Sequence, residues 1–139
     1  MPLWFGNQHL RRDEENPTYG TAMVVKALIE LGEKKMAPLG IEWLLANQNA
    51  DGGWGGGSST PSSIEETALA LETLASRPEV PADVLSRGAI WLIDATREGT
   101  HFPAAPIGFY FAKLWYYERL YPMVWTVGAL EALARRGSA

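Results

Sequence analysis

No cysteine occurs in the 139 residues, which excludes disulfides, thiol nucleophiles and cysteine-ligated zinc together. Histidine is almost as scarce, with His9 and His101 alone, so no metal site and no cofactor are expected. No apolar run approaches the ~20 residues that a membrane-spanning helix needs, and no signal-peptide pattern opens the chain. Basic residues are in deficit, 12 Lys and Arg against 16 Asp and Glu, for a net charge of −4. That leaves no basic footprint for nucleic acid. The expected setting is cytoplasmic, with peripheral contact to a membrane surface left open.

What is present suits a packed domain. Hydrophobic residues make up 47% and charged residues 20%, well inside the globular range. A chain of this length can bury roughly 68–70% of its unfolded surface. Residues 1–139 are expected to form a single domain.

Apolar spacing is helical in several places and alternates convincingly in none. The run Thr21 to Leu31 carries an i, i+3, i+4 stripe and stops at Gly32, an expected C-cap. Pro38 to Asn47 reads as the next helix. Ser62-Ser63-Ile64-Glu65-Glu66 reads as a capping box in which Glu65 answers Ser62. The helix that follows, Thr67 to Ala75, has apolar residues on more than one side. A further helix is expected from Ala82 to Thr96, with Asp83 in its first turn. Gly108 to Arg136 should hold two helices parted near Tyr121-Pro122, and Met1 to Pro17 reads as irregular. The expectation is an all-α fold of about six helices.

A repeat narrows the architecture. Gly40-x-x-Trp43-Leu44 recurs as Gly88-x-x-Trp91-Leu92, and Gln48 and Trp54 correspond to Thr96 and Phe102, each 48 residues on. Such a period marks stacked supersecondary units. Here the unit is a helix pair that cannot bury its faces alone. Three stacked helical hairpins are expected.

The stretch from Gly40 to Trp54, with Trp43, Leu44, Gln48 and Gly52 at its fixed positions, resembles the QW repeat of squalene–hopene and other triterpene cyclases. Leu39 stands where the motif has a basic residue. The second copy, Arg87-Gly88 to Phe102, is degenerate, with Thr96 for glutamine and Phe102 for tryptophan. Trp4-Phe5-Gly6 with Tyr19-Gly20-Thr21, and Gly99 to Pro103 with Gly108 to Phe111 and Tyr121-Pro122, are similar to flanking segments of the family's C-terminal region. The resemblance implies an α/α-toroid fragment. In the QW repeat the glutamine and tryptophan lock helices together, a structural role, and the residues themselves agree. Gln48 ends a helix where backbone groups lack partners, Asp51-Gly52-Gly53 supplies a turn, and Trp54 offers a large ring with one N–H to satisfy.

The resemblance also implies a chemistry, cationic cyclisation of a polyprenyl substrate by an isomerase of the hopanoid-forming type. Such a reaction needs a strong acid to protonate an alkene and a dry cavity whose aromatic faces stabilise cations. Trp4, Phe5, Tyr19, Phe102, Phe109 and Phe111 fall where the family's cavity-lining segments lie and are the candidate substrate-binding residues. The acid is missing. No Asp-x-Asp-Asp motif occurs, and Asp13-Glu14-Glu15, flanked by Arg11 and Arg12, reads as a solvated loop. No residue is assigned a catalytic role, and activity of the chain alone is not expected.

His101 reads as a loop residue and Gly52 to Gly57 as a turn without the lysine of a phosphate loop. Adjacent Glu65 and Glu66 project about 100° apart on a helix and form no facing pair. Zero cysteines also argue against a zinc-dependent prenyltransferase subunit or a thioester toroid. Two readings remain. One is a cyclase C-terminal region whose acid comes from an upstream segment or partner. The other is a non-catalytic helical-repeat module binding an apolar ligand or a protein. Open edges and an apolar face are expected to drive self-association or completion by a partner.

Overall fold

The computed structural model describes residues 16–109 and 114–138. Among these the order is α1 (Pro17–Glu30), α2 (Met36–Ala46), α3 (Ile64–Ala75), α4 (Ala82–Ala95), β1 (Pro106–Phe109), β2 (Leu114–Tyr117) and α5 (Tyr121–Gly137). Helices carry the fold, as the apolar spacing implies.

Each helix start has a local cause. Asn16 caps α1, its side-chain oxygen accepting from the Tyr19 N–H at 3.0 Å, and Pro17 occupies the first turn. Before α2, the Glu33 carboxylate accepts from the N–H groups of Lys35, Met36 and Ala37 at 2.8, 2.6 and 3.1 Å. These bonds hold its pKa below the usual carboxylate value. Ser63 caps α3, and its hydroxyl accepts from the Glu66 N–H at 3.2 Å. The Ser63 hydroxyl in turn donates to the Glu66 carboxylate. The capping box is therefore Ser63 with Glu66, one residue later than the sequence suggests, and Glu65 is freed for another role.

Two elements correct the reading of the last third. The segment expected as a helix from Gly108 is an antiparallel hairpin, pairing Pro106 with Tyr117, Ile107 with Tyr116, Gly108 with Trp115 and Phe109 with Leu114. Aromatic and β-branched residues favour strands, while Pro103, Pro106 and Gly108 weaken a helix there. The strands are four residues each, too short to show a period of two. The described helices number five, so α1–α2 and α3–α4 form two hairpins and α5 completes the third unit alone.

α3 is the axis of the molecule. Eleven of its twelve residues are buried, and it packs against α1, α2, α4 and α5. Its apolar residues on several sides, Leu69, Leu71 and Leu74 among them, are thus covered within the chain. α1, α3 and α5 start at the same end. Asn16 donates to Glu66 at 2.6 Å, and the rings of Tyr19 and Trp125 lie 5.9 Å apart. These three form an inner layer, and α2 and α4 pack outside it.

The repeat glycines are the crossing points. A Cβ on Gly40 would lie 2.2 Å from Val25 Cγ2 of α1, and one on Gly88 would lie 2.8 Å from Leu71 Cδ2 and Trp54 Cζ3. Both positions let an outer helix touch its inner partner. At the other end of the layer, Lys26 pairs with Glu72 at 2.6 Å. Arg136 of α5 donates to the carbonyls of Arg77, Pro78 and Val80 at 2.5, 3.3 and 2.6 Å.

Candidate functional site

The QW residues meet at the turn that follows α2. Trp54 is fully buried, and its indole N–H donates to the Leu44 carbonyl at the end of α2 at 2.8 Å. Its backbone N–H donates to the Thr67 hydroxyl at 2.9 Å, and its carbonyl accepts from the Ser63 N–H at 3.0 Å. Gln48 Nε2 donates to the Gly52 carbonyl at 2.8 Å and to the Val84 carbonyl of α4 at 2.9 Å. One side chain thus ties the end of α2 to its own turn and to the next hairpin. Asp51 braces the turn, accepting from the Gly53 N–H, the Ser62 hydroxyl and the Trp91 indole N–H at 3.0, 2.8 and 3.0 Å. The degenerate copy does not bridge. The Thr96 hydroxyl donates to Leu92 and Ile93 of its own helix at 2.8 and 3.1 Å.

The inner helices bring their chemistry together at their N-terminal ends. Tyr19 of α1 meets Trp125 of α5, tilted by 48°, and Trp125 stacks on Tyr121 with centroids 4.5 Å apart. Burial, and to a lesser degree the neighbouring Tyr121, raises the Tyr19 pKa, so the ring stays neutral. Between these rings and α4, α3 begins with two buried carboxylates. Glu66 accepts from Asn16 and Ser63. Burial pushes its pKa up to about 7, adjacent Glu65 adds to the rise, and the Asn16 amide opposes it. Glu65, 1% exposed, accepts from the Ala105 N–H at 2.6 Å. This bond ties the approach to the hairpin onto α3. Burial raises the Glu65 pKa against that bond.

Of the six aromatic candidates, Tyr19 stands in this cluster. Phe102 is half-buried, in the connection between α4 and β1. Phe109 lies in β1, with its side chain outside the described atoms, and Trp4, Phe5 and Phe111 lie outside the described residues. The acidic run Asp13 to Glu15 lies outside them too. Reading the sequence missed Trp125 and Tyr121. Their i, i+4 spacing, which puts two rings on one helix face, is the signal that finds them. Sequence reading treats Glu65 as a cap and the two glutamates as a non-facing pair, and does not foresee their burial, which follows from packing that no local pattern records. Among the described residues no group of acidic and histidine side chains could hold a metal ion, and no helix is long and apolar enough to cross a membrane.

With the interlocked turn and the aromatic end of the inner layer in place, comparison with known proteins is decisive. Residues 3–136 match the model of the squalene–hopene cyclase C-terminal domain. The chain belongs to that family. It is 32% identical over 109 residues to a squalene–hopene cyclase of Bradyrhizobium diazoefficiens, an alignment covering 68% of this chain and 16% of that protein. Identity to a probable squalene–hopene cyclase of Sinorhizobium fredii is 33% over 109 residues, covering 68% and 16%. A terpentedienyl-diphosphate synthase of Kitasatospora griseola is 34% identical over 92 residues, covering 60% of this chain and 18% of that protein. The matches to the first two thus span about one sixth of their length. The α/α-toroid reading of the helix pairs follows from family membership and from the helical pairs themselves.

Proposed function

We propose that this cyclase C-terminal region supplies an aromatic wall for cationic cyclisation of a polyprenyl substrate and does not start the reaction itself. The observation that carries the reading is the ring cluster Tyr19, Trp125 and Tyr121, gathered where three inner helices begin. Ring faces stabilise a cation by about 2 kcal/mol or more once water is excluded. The buried carboxylates do not supply the missing acid. Alkene protonation demands a strong acid, and burial moves Glu65 and Glu66 toward weaker acidity. The proton donor then comes from an upstream segment or a partner chain.

One feature supports association of this kind. Leu120, Met123, Val124, Val127 and Leu130 are exposed along α5 at the spacing of one helical face. Apolar faces of this kind mark interfaces. The alternative function, a non-catalytic repeat module, would use the same face without chemistry.

Squalene binding tests the wall. Titration of the purified chain with squalene, read by tryptophan fluorescence, is expected to saturate. Tyr19→Ala should weaken binding several-fold, in keeping with the loss of one ring contact. No saturable change, or unchanged affinity in the variant, would count against the proposal.

A further inference from the structure

The second helix pair receives the turn of the first. Beside Gly88, between α3 and α4, Trp54 packs together with Leu71. Gln48 of the same turn reaches the Val84 carbonyl at 2.9 Å, and Gly52 lies close against the Arg87 backbone.

The corresponding place on the first pair is an apolar groove of about 200 Å³ between α1 and α2. Its lining includes Val24, Val25, Leu28, Leu39, Gly40 and Trp43. Gly40 and Trp43 stand one period of 48 residues before Gly88 and Trp91. On the inner helices Lys26-Ala27-Leu28 recurs as Glu72-Thr73-Leu74, 46 residues on, which sets Val25 in the place of Leu71. The contacts agree, since Gly40 abuts Val25 as Gly88 abuts Leu71. Burial differs. Gly88 is buried, whereas Gly40 is half-buried and Leu39 is 64% exposed. The groove is smaller than the roughly 300–1,000 Å³ usual for small-molecule sites. It suits one large side chain.

The repeat specifies that side chain as a tryptophan, and the chain has six. Trp43 and Trp91 lie in α2 and α4, Trp115 in β2 and Trp125 in α5, while Trp54 fills the second pair. Trp4 is left. Trp54 precedes Ser63, the cap of α3, by nine residues, and Trp4 precedes Asn16, the cap of α1, by twelve. Twelve residues span up to about 40 Å, and Val24 lies only about 12 Å along α1 from Asn16.

We propose that Trp4 of this chain docks in the α1–α2 groove, its ring against Gly40 and Val25, as Trp54 docks between α3 and α4. Trp4 is then a packing residue, apart from the other candidate substrate-binding rings. The inference rests on the repeat and not on the cyclisation reading, so squalene binding and Trp4 docking fail separately.

Nuclear Overhauser spectra of the purified full chain test it, with Trp4→Phe identifying the Trp4 indole signals. Cross-peaks are expected from that indole to the methyl groups of Val24, Val25 or Leu28. Trp4→Ala should also lower Tm by about 5–15 °C, in keeping with the loss of a large packed ring. Absence of the cross-peaks in the folded parent chain overturns the proposal, whether or not the Ala variant folds. So does an unchanged Tm in Trp4→Ala. Cross-peaks found only between differently labelled molecules in a mixed sample would give the groove to a second copy, and overturn it too.

Discussion

Trp54 joins three segments through one residue. Its ring is buried against Gly88, its indole N–H holds Leu44, and its backbone holds Thr67 and Ser63. Trp54→Ala is expected to cost about 3–5 kcal/mol, as for other large buried aromatics. Chemical denaturation measures it, and a loss under about 1 kcal/mol would contradict the packing role. Glu66 makes stability depend on pH. Its folded pKa of about 7 lies above the ordinary 4.5, so the folded state holds the proton more tightly. The contribution is complete below about pH 4.5 and is lost as pH rises toward 7, by about 3 kcal/mol at most. Glu65 acts in the same sense. Thermal unfolding at pH 5 and pH 8 should show this loss, and Glu66→Gln should flatten it. An equal loss in the variant would place its origin elsewhere.

At the level of elements, α1, α2 and α4 were legible because their apolar stripes and stop signals are local. α4 spans Ala82–Ala95 against an expected Ala82 to Thr96. The capping box was misplaced by one residue because Ser62 and Ser63 both have a glutamate three positions on. Only packing decides between them, sending Ser62 to Asp51 and Ser63 to Glu66. The hairpin of β1 and β2 was hidden because strands of four residues are too short to show an alternating pattern. Open edges were expected without naming α5. α3, the helix with apolar residues on more than one side, is covered within the chain, while exposed apolar residues lie along one face of α5. Light scattering after size exclusion at micromolar concentration should show self-association. Val127→Glu, a charge in the middle of that face, should shift it toward monomer. A monomer across the concentration range would rule self-association out.

For the whole molecule, the legible part was the architecture, since helix pairing and the QW turn are written in contiguous residues. The site was legible only in part. Tyr19 could be placed from its segment, whereas Trp125, Tyr121 and the two glutamates become neighbours through the parallel start of α1, α3 and α5. Those same neighbours set the limit on chemistry. Six tryptophans, five tyrosines and four phenylalanines furnish rings in abundance, but the buried acids near them have been made weaker by burial. The central claim is that this region shapes a cation's path without generating the cation. Incubating the purified chain alone with squalene, and analysing the extract by mass spectrometry coupled to chromatography, tests it most directly. The expected result is unreacted squalene only, and a cyclised hydrocarbon formed above the protein-free control would contradict the account.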